Sequence, residues 1–225
     1  MSVKNQFSKY AKEYKNHNII QQIVAKSLIR ELKYQPKRIL ELGCGSGQVF
    51  NHITWDIEFY KAIDFSSSMC ELHPKGENIE VKCFDFDTQE FLDEIKNNSY
   101  DIVLSSSALQ WSKDLSKIIK QLSLITNEIN AVLFTSNTFK TIQKITNTKS
   151  PILDELSIKE AFSKYFTCEF ETIMYKLEFD NKKDLFDYIK KSGVSGGNAS
   201  LDFADAKKLY KEYDLNYLEF EVIFV

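Results

Sequence analysis

Three alternating glycines follow a short apolar stretch in the first quarter of the chain. They are Gly43, Gly45 and Gly47, three of only seven glycines in 225 residues, and Glu41 stands two positions before the first of them. Glycine weakens the interior of a helix or a strand, but it accepts positive φ angles and leaves no side chain between backbone N–H groups and a ligand. The spacing therefore predicts a strand, a tight loop and a helix start that hold a nucleotide-like ligand against the backbone.

A carboxylate ends the next apolar stretch, FYKAID, at Asp64. It can accept hydrogen bonds from both hydroxyls of a ribose, so Asp64 is a candidate to fix a nucleoside. Nicotinamide enzymes use an acid in the same way, and an aspartate at a strand end also forms turns. Dinucleotide-binding loops, however, place their third glycine three positions after the second, where this chain has Gln48. The glycine spacing thus departs from the dinucleotide pattern.

The elements that must position these residues follow from the apolar pattern. Apolar residues between Ile19 and Leu32 recur at helical spacing. Five apolar runs of strand length follow, bounded by turn-forming residues: RILELG, FYKAIDF, IEVKCFDF, YDIVLSSS and NAVLFTSN. Near-continuous apolar strands that alternate with helices are typical of a parallel sheet covered on both faces, so we predict an α/β fold.

The last third of the chain has a different pattern of apolar and polar residues. The segments CEFETIMYKLEF (168–179) and YLEFEVIFV (217–225) alternate apolar and polar residues, which predicts an antiparallel pair of strands. Two helical patterns lie between them, so residues 180–216 are predicted to form a small helical insertion. We expect one domain over residues 1–225.

Composition excludes several classes of protein. The 29 basic and 32 acidic residues give a formal net charge of −3, which argues against a dedicated nucleic-acid binder. The N-terminal stretch is polar and no run of about 18 apolar residues occurs, so we expect a cytoplasmic protein without a membrane segment. The four cysteines lack C-x-x-C pairing and neighbouring histidines, so no metal site is predicted. We also expect a monomer.

The stretch from Glu41 to Gly47, E-x-G-x-G-x-G, resembles the first motif of the class I S-adenosylmethionine-dependent methyltransferases. This resemblance implies a Rossmann-like fold with a seven-stranded, mostly parallel sheet and a C-terminal antiparallel hairpin. It implies S-adenosylmethionine as cofactor and S-adenosylhomocysteine as product. It also implies that Asp85 accepts from the adenine amino group while Phe86 packs on the ring, although Asp85 and Asp87 could instead cap the helix TQEFLDEI. The predicted cofactor-binding residues are Glu41, Gly43, Gly45, Gly47, Asp64, Phe65, Asp85, Phe86 and Ser105.

The segment Ala108-Leu109-Gln110-Trp111, after Asp101 and Ser105, narrows the resemblance. It is similar to a signature of the BioC family, the malonyl-acyl-carrier-protein O-methyltransferases of biotin synthesis. The opening FSKYAKEYKNHNIIQ (7–21) and the glycine-rich IKKSGVSGGN (189–198) resemble that family too. The family implies that residues 1–35 form a helical lid, that 180–216 lies over the active site, and that Tyr14, Gln110 and Trp111 surround the reacting methyl group. Tyr14 and Trp111 could equally be core aromatics.

This resemblance implies methylation of the free carboxylate of malonyl-acyl-carrier protein or malonyl-CoA. Such a carboxylate, with a pKa near ~4, is ionised at neutral pH and needs no general base, so catalysis would come from positioning in a dry site. This fits a chain whose three histidines lie far apart in sequence. Two alternatives remain open: a methyltransferase for another small carboxylate or metabolite, and a non-catalytic methyltransferase-like module that binds a partner.

Overall fold

The computed structural model describes residues 18–191 and 203–225. The predictions for Tyr14 and for the first half of the N-terminal lid lie outside the described residues, as does most of the glycine-rich segment of the insertion. In the described part, seven strands form one sheet in the order β3-β2-β1-β4-β5-β7-β6. The strands are β1 (Arg38–Leu42), β2 (Phe59–Asp64), β3 (Ile79–Cys83), β4 (Ile102–Ser106), β5 (Ile129–Phe134), β6 (Glu171–Glu178) and β7 (Tyr217–Phe224).

Strand direction divides the sheet into two parts. Strands β1 to β5 are all parallel, whereas β7 runs antiparallel to both β5 and β6. The prediction of a mostly parallel seven-stranded sheet with an antiparallel C-terminal pair is confirmed. Because β1 lies at the centre between β2 and β4, its carboxyl end faces the crevice where the strand order reverses, which is the usual ligand position in such sheets.

Eight α-helices and two 3₁₀ turns occupy the described connections and flanks. The helices are α1 (Ile19–Arg30), α2 (Ser67–Leu72), α3 (Gln89–Ile95), α4 (Leu115–Leu122), α5 (Lys140–Thr146), α6 (Glu155–Ser163), α7 (Lys182–Lys191) and α8 (Phe203–Glu212). The 3₁₀ turns are Phe50–His52 and Leu109–Trp111. No helix in residues 18–191 or 203–225 is long and apolar enough to cross a membrane.

Two hydrophobic layers cover the faces of the sheet. Helices α1, α5, α7 and α8 contribute to one layer, and α3, α4 and α6 contribute to the other. Neighbouring residues of a strand point to opposite faces, so Ile39 belongs to the first layer and Leu40 to the second, both without solvent exposure. Burial on both faces explains why the central strands β1, β4 and β5 are largely apolar.

The N-terminus of α3 shows whether Asp85 and Asp87 cap this helix. Thr88 is the N-cap, since its hydroxyl accepts from the Phe91 N–H at 3.4 Å. Asp85 accepts from the N–H of Asp87 at 3.0 Å, and Asp87 in turn accepts from the N–H of Lys113. The alternative in which the two aspartates cap this helix is therefore wrong; they form the turn that precedes it.

The insertion starts from the carboxyl edge of the sheet. Strands β6 and β7 pair along their full length, but β7 pairs with β5 only from Val222 to Phe224. The pair therefore extends beyond the end of β5, and α7 begins there. Tyr188 of α7 lies 6.0 Å from the ring of Phe220, and Tyr213, just after α8, is buried in the same layer as α1. The described part of the insertion thus packs on one face of the sheet.

Candidate cofactor site

The three glycines of the loop after β1 all adopt positive φ angles, but their surroundings differ. The angles are +72° at Gly43, +52° at Gly45 and +90° at Gly47. A Cβ atom at Gly43 would lie 2.0 Å from the Cβ of Ala108, and one at Gly47 would lie 2.5 Å from the Cδ of Pro74. A Cβ at Gly45 would meet nothing within 4 Å among the described residues. Two glycines therefore permit close packing, and Gly45 leaves its space open.

Asp64 joins this glycine loop to the turn after β2. Its Oδ2 accepts from the Gly45 N–H at 2.9 Å, and its Oδ1 accepts from the Ser66 N–H at 2.8 Å. The Gly43 N–H donates to the carbonyl of Ile63 at 2.8 Å, which holds the loop against the same strand. The carboxylate is thus fixed in place by backbone donors from both sides.

The electrostatics of Asp64 follow from this position. Burial raises the pKa of Asp64 to about 6, although the hydrogen bonds from Ser66 and Gly45 lower it; Glu41 raises it further and His73 lowers it. Asp64 is therefore ionised at neutral pH. A carboxylate oxygen can accept more than one hydrogen bond, so both oxygens can still receive a ribose hydroxyl.

An open cleft lies against the glycine loop and the carboxyl ends of β2 and β4. The structure brings seven of the sequence-predicted site residues to its walls: Glu41, Gly43, Gly45, Asp64, Phe65, Phe86 and Trp111. Phe86 and the neighbouring Met69 are buried, while Phe65 and Trp111 are partly buried. The cleft therefore combines an apolar wall with two acids.

Three other predicted side chains make contacts outside the cleft lining. The Ser105 hydroxyl is fully buried and donates to the carbonyl of Leu42 at 2.9 Å, which joins β4 to β1. Gln110 is buried, and its side-chain amide donates to the carbonyl of Ser107 at 2.8 Å. Asp85 is exposed in the turn next to Phe86. Cofactor or substrate contacts by Ser105, Gln110 and Asp85 stay predictions.

Sequence reasoning missed several polar residues of the cleft. The side-chain oxygens of Gln21, Ser106 and Ser107 are buried and have no hydrogen-bond partner among the described residues. Ser107 also has a φ of +59°, a strained angle for a residue with a side chain. The sequence contained one indication that Gln21 belongs to a site: it is a polar residue on the buried face of α1, between Ile20 and Val24.

Glu41 occupies a fully buried position beside the cleft. Its Oε2 accepts from the Tyr60 hydroxyl at 2.5 Å and lies 3.9 Å from Nε2 of His73. Burial raises the pKa of Glu41, and the interactions with His73 and Tyr60 oppose that rise. The acid at the start of the glycine motif thus belongs to a buried polar network that extends below the loop.

These residues fit a nucleoside cofactor with a cationic centre. Asp64 can hold the ribose, and Phe65, Met69 and Phe86 offer an apolar surface for a base. The unpartnered oxygens of Gln21, Ser106 and Ser107 are the kind of buried polar atoms that a ligand satisfies.

Comparison with known proteins finds a methyltransferase domain and a shared fold. A family model described as a methyltransferase domain matches residues 40–127. A methyltransferase of Thermotoga maritima that depends on S-adenosylmethionine shares the fold, with a TM-score of 0.58 at 13% identity over 99% of this chain and 98% of that one. The plantazolicin methyltransferase in complex with S-adenosylhomocysteine superimposes with a TM-score of 0.52 at 15% identity, over 99% of this chain and 93% of that one. Residues 40–127 thus match a methyltransferase domain, and the chain has the fold of S-adenosylmethionine-dependent methyltransferases, as its sequence predicts.

Two curated relatives are named for a particular methylation reaction. The malonyl-acyl-carrier-protein O-methyltransferase of Bacillus cereus is 24% identical over 220 residues, which cover 87% of this chain and 81% of that protein. The corresponding enzyme of Legionella pneumophila is 28% identical over 64% of this chain and 55% of its own length.

Proposed function

We propose that this methyltransferase methylates the free carboxylate of a malonyl group on an acyl-carrier protein, as a step of biotin synthesis. The observation that carries the proposal is the set of ionisable groups at the cleft. Its described lining contains the carboxyl groups of Glu41 and Asp64 and the thiol of Cys44, but no histidine, lysine or tyrosine. A hydroxyl or amine acceptor has to lose a proton to a base, whereas a malonyl carboxylate is already ionised at neutral pH.

Both acids of the lining have other proposed roles, since Asp64 holds the ribose and Glu41 belongs to the buried network below the loop. Both oxygens of Asp64 accept backbone hydrogen bonds, and Glu41 is bonded to the Tyr60 hydroxyl. The named relatives that align along most of this chain support the same acceptor, since they are malonyl-acyl-carrier-protein O-methyltransferases.

The roles proposed for the cofactor residues follow from their positions. The open space at Gly45 leaves room for the nucleoside, and the carboxylate of Asp64 holds its ribose, while Phe65, Met69 and Phe86 pack against the base. S-adenosylmethionine supplies an electrophilic methyl group on a positively charged sulfur. The ionised Asp64 favours that positive charge in the buried cleft.

The acceptor side is formed by the turn after β4. The Ser106 and Ser107 hydroxyls can donate to the incoming carboxylate, and Trp111 forms an apolar wall that excludes water. Gln110 supports this turn through its bond to the Ser107 carbonyl. These residues would orient the acceptor carboxylate toward the methyl group to be transferred, so positioning would contribute most of the rate enhancement.

Mass spectrometry of candidate acceptors tests the proposal. The protein is incubated with S-adenosylmethionine and, separately, with malonyl-acyl-carrier protein, malonyl-CoA and free malonate. We expect one added methyl group on the malonyl carrier, and none on a matched acetyl carrier that lacks the free carboxylate. Methylation of a different small acid would replace the proposed substrate. Failure to bind S-adenosylhomocysteine in calorimetry would favour the non-catalytic partner-binding module.

A further inference from the structure

His73 lies directly after α2, next to the cofactor cleft, and is almost fully buried. Its ring lies between two aromatic rings, with centroids 5.5 Å from Phe50 and 6.2 Å from Tyr60. Its Nδ1 is 2.8 Å from the carbonyl oxygen of Pro74. Because a carbonyl oxygen only accepts hydrogen bonds, Nδ1 must carry a proton. The tautomer of His73 is therefore set by the backbone.

The other ring nitrogen faces an acid. Nε2 of His73 has no hydrogen-bond partner among the described residues and lies 3.9 Å from Oε2 of Glu41, an ion-pair distance. The Tyr60 hydroxyl donates to the same oxygen from another direction. A bare nitrogen lone pair facing a buried carboxylate is repulsive, and one proton between the two groups removes that repulsion.

We propose that His73 is a positioning residue of the cofactor cleft, which shares one proton with Glu41 and so keeps this buried pair free of net charge next to Asp64. The inference rests on the proposed role of the cleft as cofactor site. The contact between His73 and Glu41 lies below the glycine loop, since His73 and Pro74 are the residues that a Cβ at Gly47 would meet. His73 therefore supports both the geometry of the loop and its charge.

Loss of His73 should affect the titration of Asp64, because Glu41 raises the pKa of Asp64 and His73 lowers it. If His73 is lost, the charge of Glu41 is uncompensated, and two neighbouring acids then compete for one proton. The last carboxyl proton of the cleft should consequently leave at a higher pH than in the native protein.

Other titratable groups face the same acids. The Cys44 thiol and the Tyr60 hydroxyl face Glu41, and their pKa values are raised, by the hydrogen bond with Cys70 and by burial respectively. The Cys70 thiol lies 3.6 Å from the Asp64 carbonyl, and its hydrogen bond with Cys44 lowers its pKa. Cys70→Ser is therefore included as a background variant that removes the thiol with the lowered pKa.

The test is a carboxyl ¹³C NMR titration of the cofactor-free protein, from about pH 5 to pH 9, which spans the carboxyl and imidazole ranges. We compare the native chain with Glu41→Gln, His73→Phe and the double variant. In His73→Phe, the highest carboxyl midpoint of the cleft should rise by about one unit or more. In Glu41→Gln and in the double variant, the Asp64 midpoint should remain at the native value.

This pattern separates the charge role from a purely structural one. If His73 only fills space, His73→Phe should leave the highest carboxyl midpoint at its native value, and that result would overturn the inference. His52→Phe, on the nearby 3₁₀ turn, is the matched control and should leave the midpoint unchanged. If His73→Phe fails to fold, ¹⁵N NMR of the native ring decides, because a bare Nδ1 excludes the proposed arrangement. None of these measurements uses substrate or cofactor, so they stand apart from the test of the methyltransferase reaction.

Discussion

Replacing Gly43 with alanine probes the contact between the glycine loop and the turn after β4. The new Cβ would lie 2.0 Å from the Cβ of Ala108, far inside the distance of about 3.5–4.0 Å at which carbon atoms attract. A residue with a side chain at the φ of +72° costs about 1–2 kcal/mol, and overpacking of a filled site costs about 1–3 kcal/mol. Gly43→Ala should therefore lower the free energy of unfolding by about 2–5 kcal/mol.

A double-mutant cycle separates the two contributions. Ala108→Gly removes the clashing Cβ, so the combination Gly43→Ala/Ala108→Gly should regain the packing part, about 1–3 kcal/mol, and keep the cost of the φ angle. Urea denaturation followed by circular dichroism measures each corner of the cycle.

Gly45→Ala is the matched control for this cycle. It has the same sign of φ, but its Cβ meets nothing within 4 Å among the described residues. It should lose only about 1–2 kcal/mol and show no coupling to Ala108→Gly. If the effects of Gly43→Ala and Ala108→Gly were simply additive, the close approach of these two residues would be refuted.

Two further expectations concern β4 and Asp64. Ser105→Ala should lower the free energy of unfolding by about 0.5–1.5 kcal/mol, because it removes the buried bond to the Leu42 carbonyl, and should leave the affinity for S-adenosylhomocysteine unchanged. Ser106→Ala should instead weaken the binding of S-adenosylhomocysteine and leave the free energy of unfolding nearly unchanged. A larger loss of affinity in Ser105→Ala than in Ser106→Ala would support Ser105 as a cofactor contact. Burial raises the pKa of Asp64 from 3.8 to about 6, so the folded state favours the protonated form. Its contribution of about 3 kcal/mol is complete below about pH 4 and is lost as the pH rises through about 6. Asp64→Asn should flatten this part of the stability profile in denaturation at several pH values, and an unchanged slope would contradict the assignment.

The sequence predicts the fold well because the central parallel strands are buried on both faces. Such strands are continuous apolar runs, and the glycine loop marks which strand end carries the ligand. The position of Asp64 at the cleft could be predicted for the same reason, since it ends the strand next to that loop.

The choice among the serines of β4 could not be made from the sequence. Successive residues of a strand alternate in direction, so a shift of one position decides whether Ser105 or Ser106 faces the cleft. The structure of the sheet decides which serine faces the cleft: the Ser105 hydroxyl is bonded to the carbonyl of Leu42 in β1. Gln21 was missed as a cleft residue because its role depends on where α1 crosses the sheet, which helical spacing does not specify.

The central position of β1 has a consequence for how the protein acquires its cofactor during synthesis. The contacts from Gly43 to Ala108 and from Leu42 to Ser105 join β1 to a strand made more than 60 residues later. The glycine loop and Asp64 are therefore translated well before the opposite wall of the cleft exists. A ligand that binds only the native state stabilises it by mass action. A nascent chain that ends before β4 cannot be stabilised by ligand binding in this way. Until Ala108 is synthesised, its first three strands depend on their own packing.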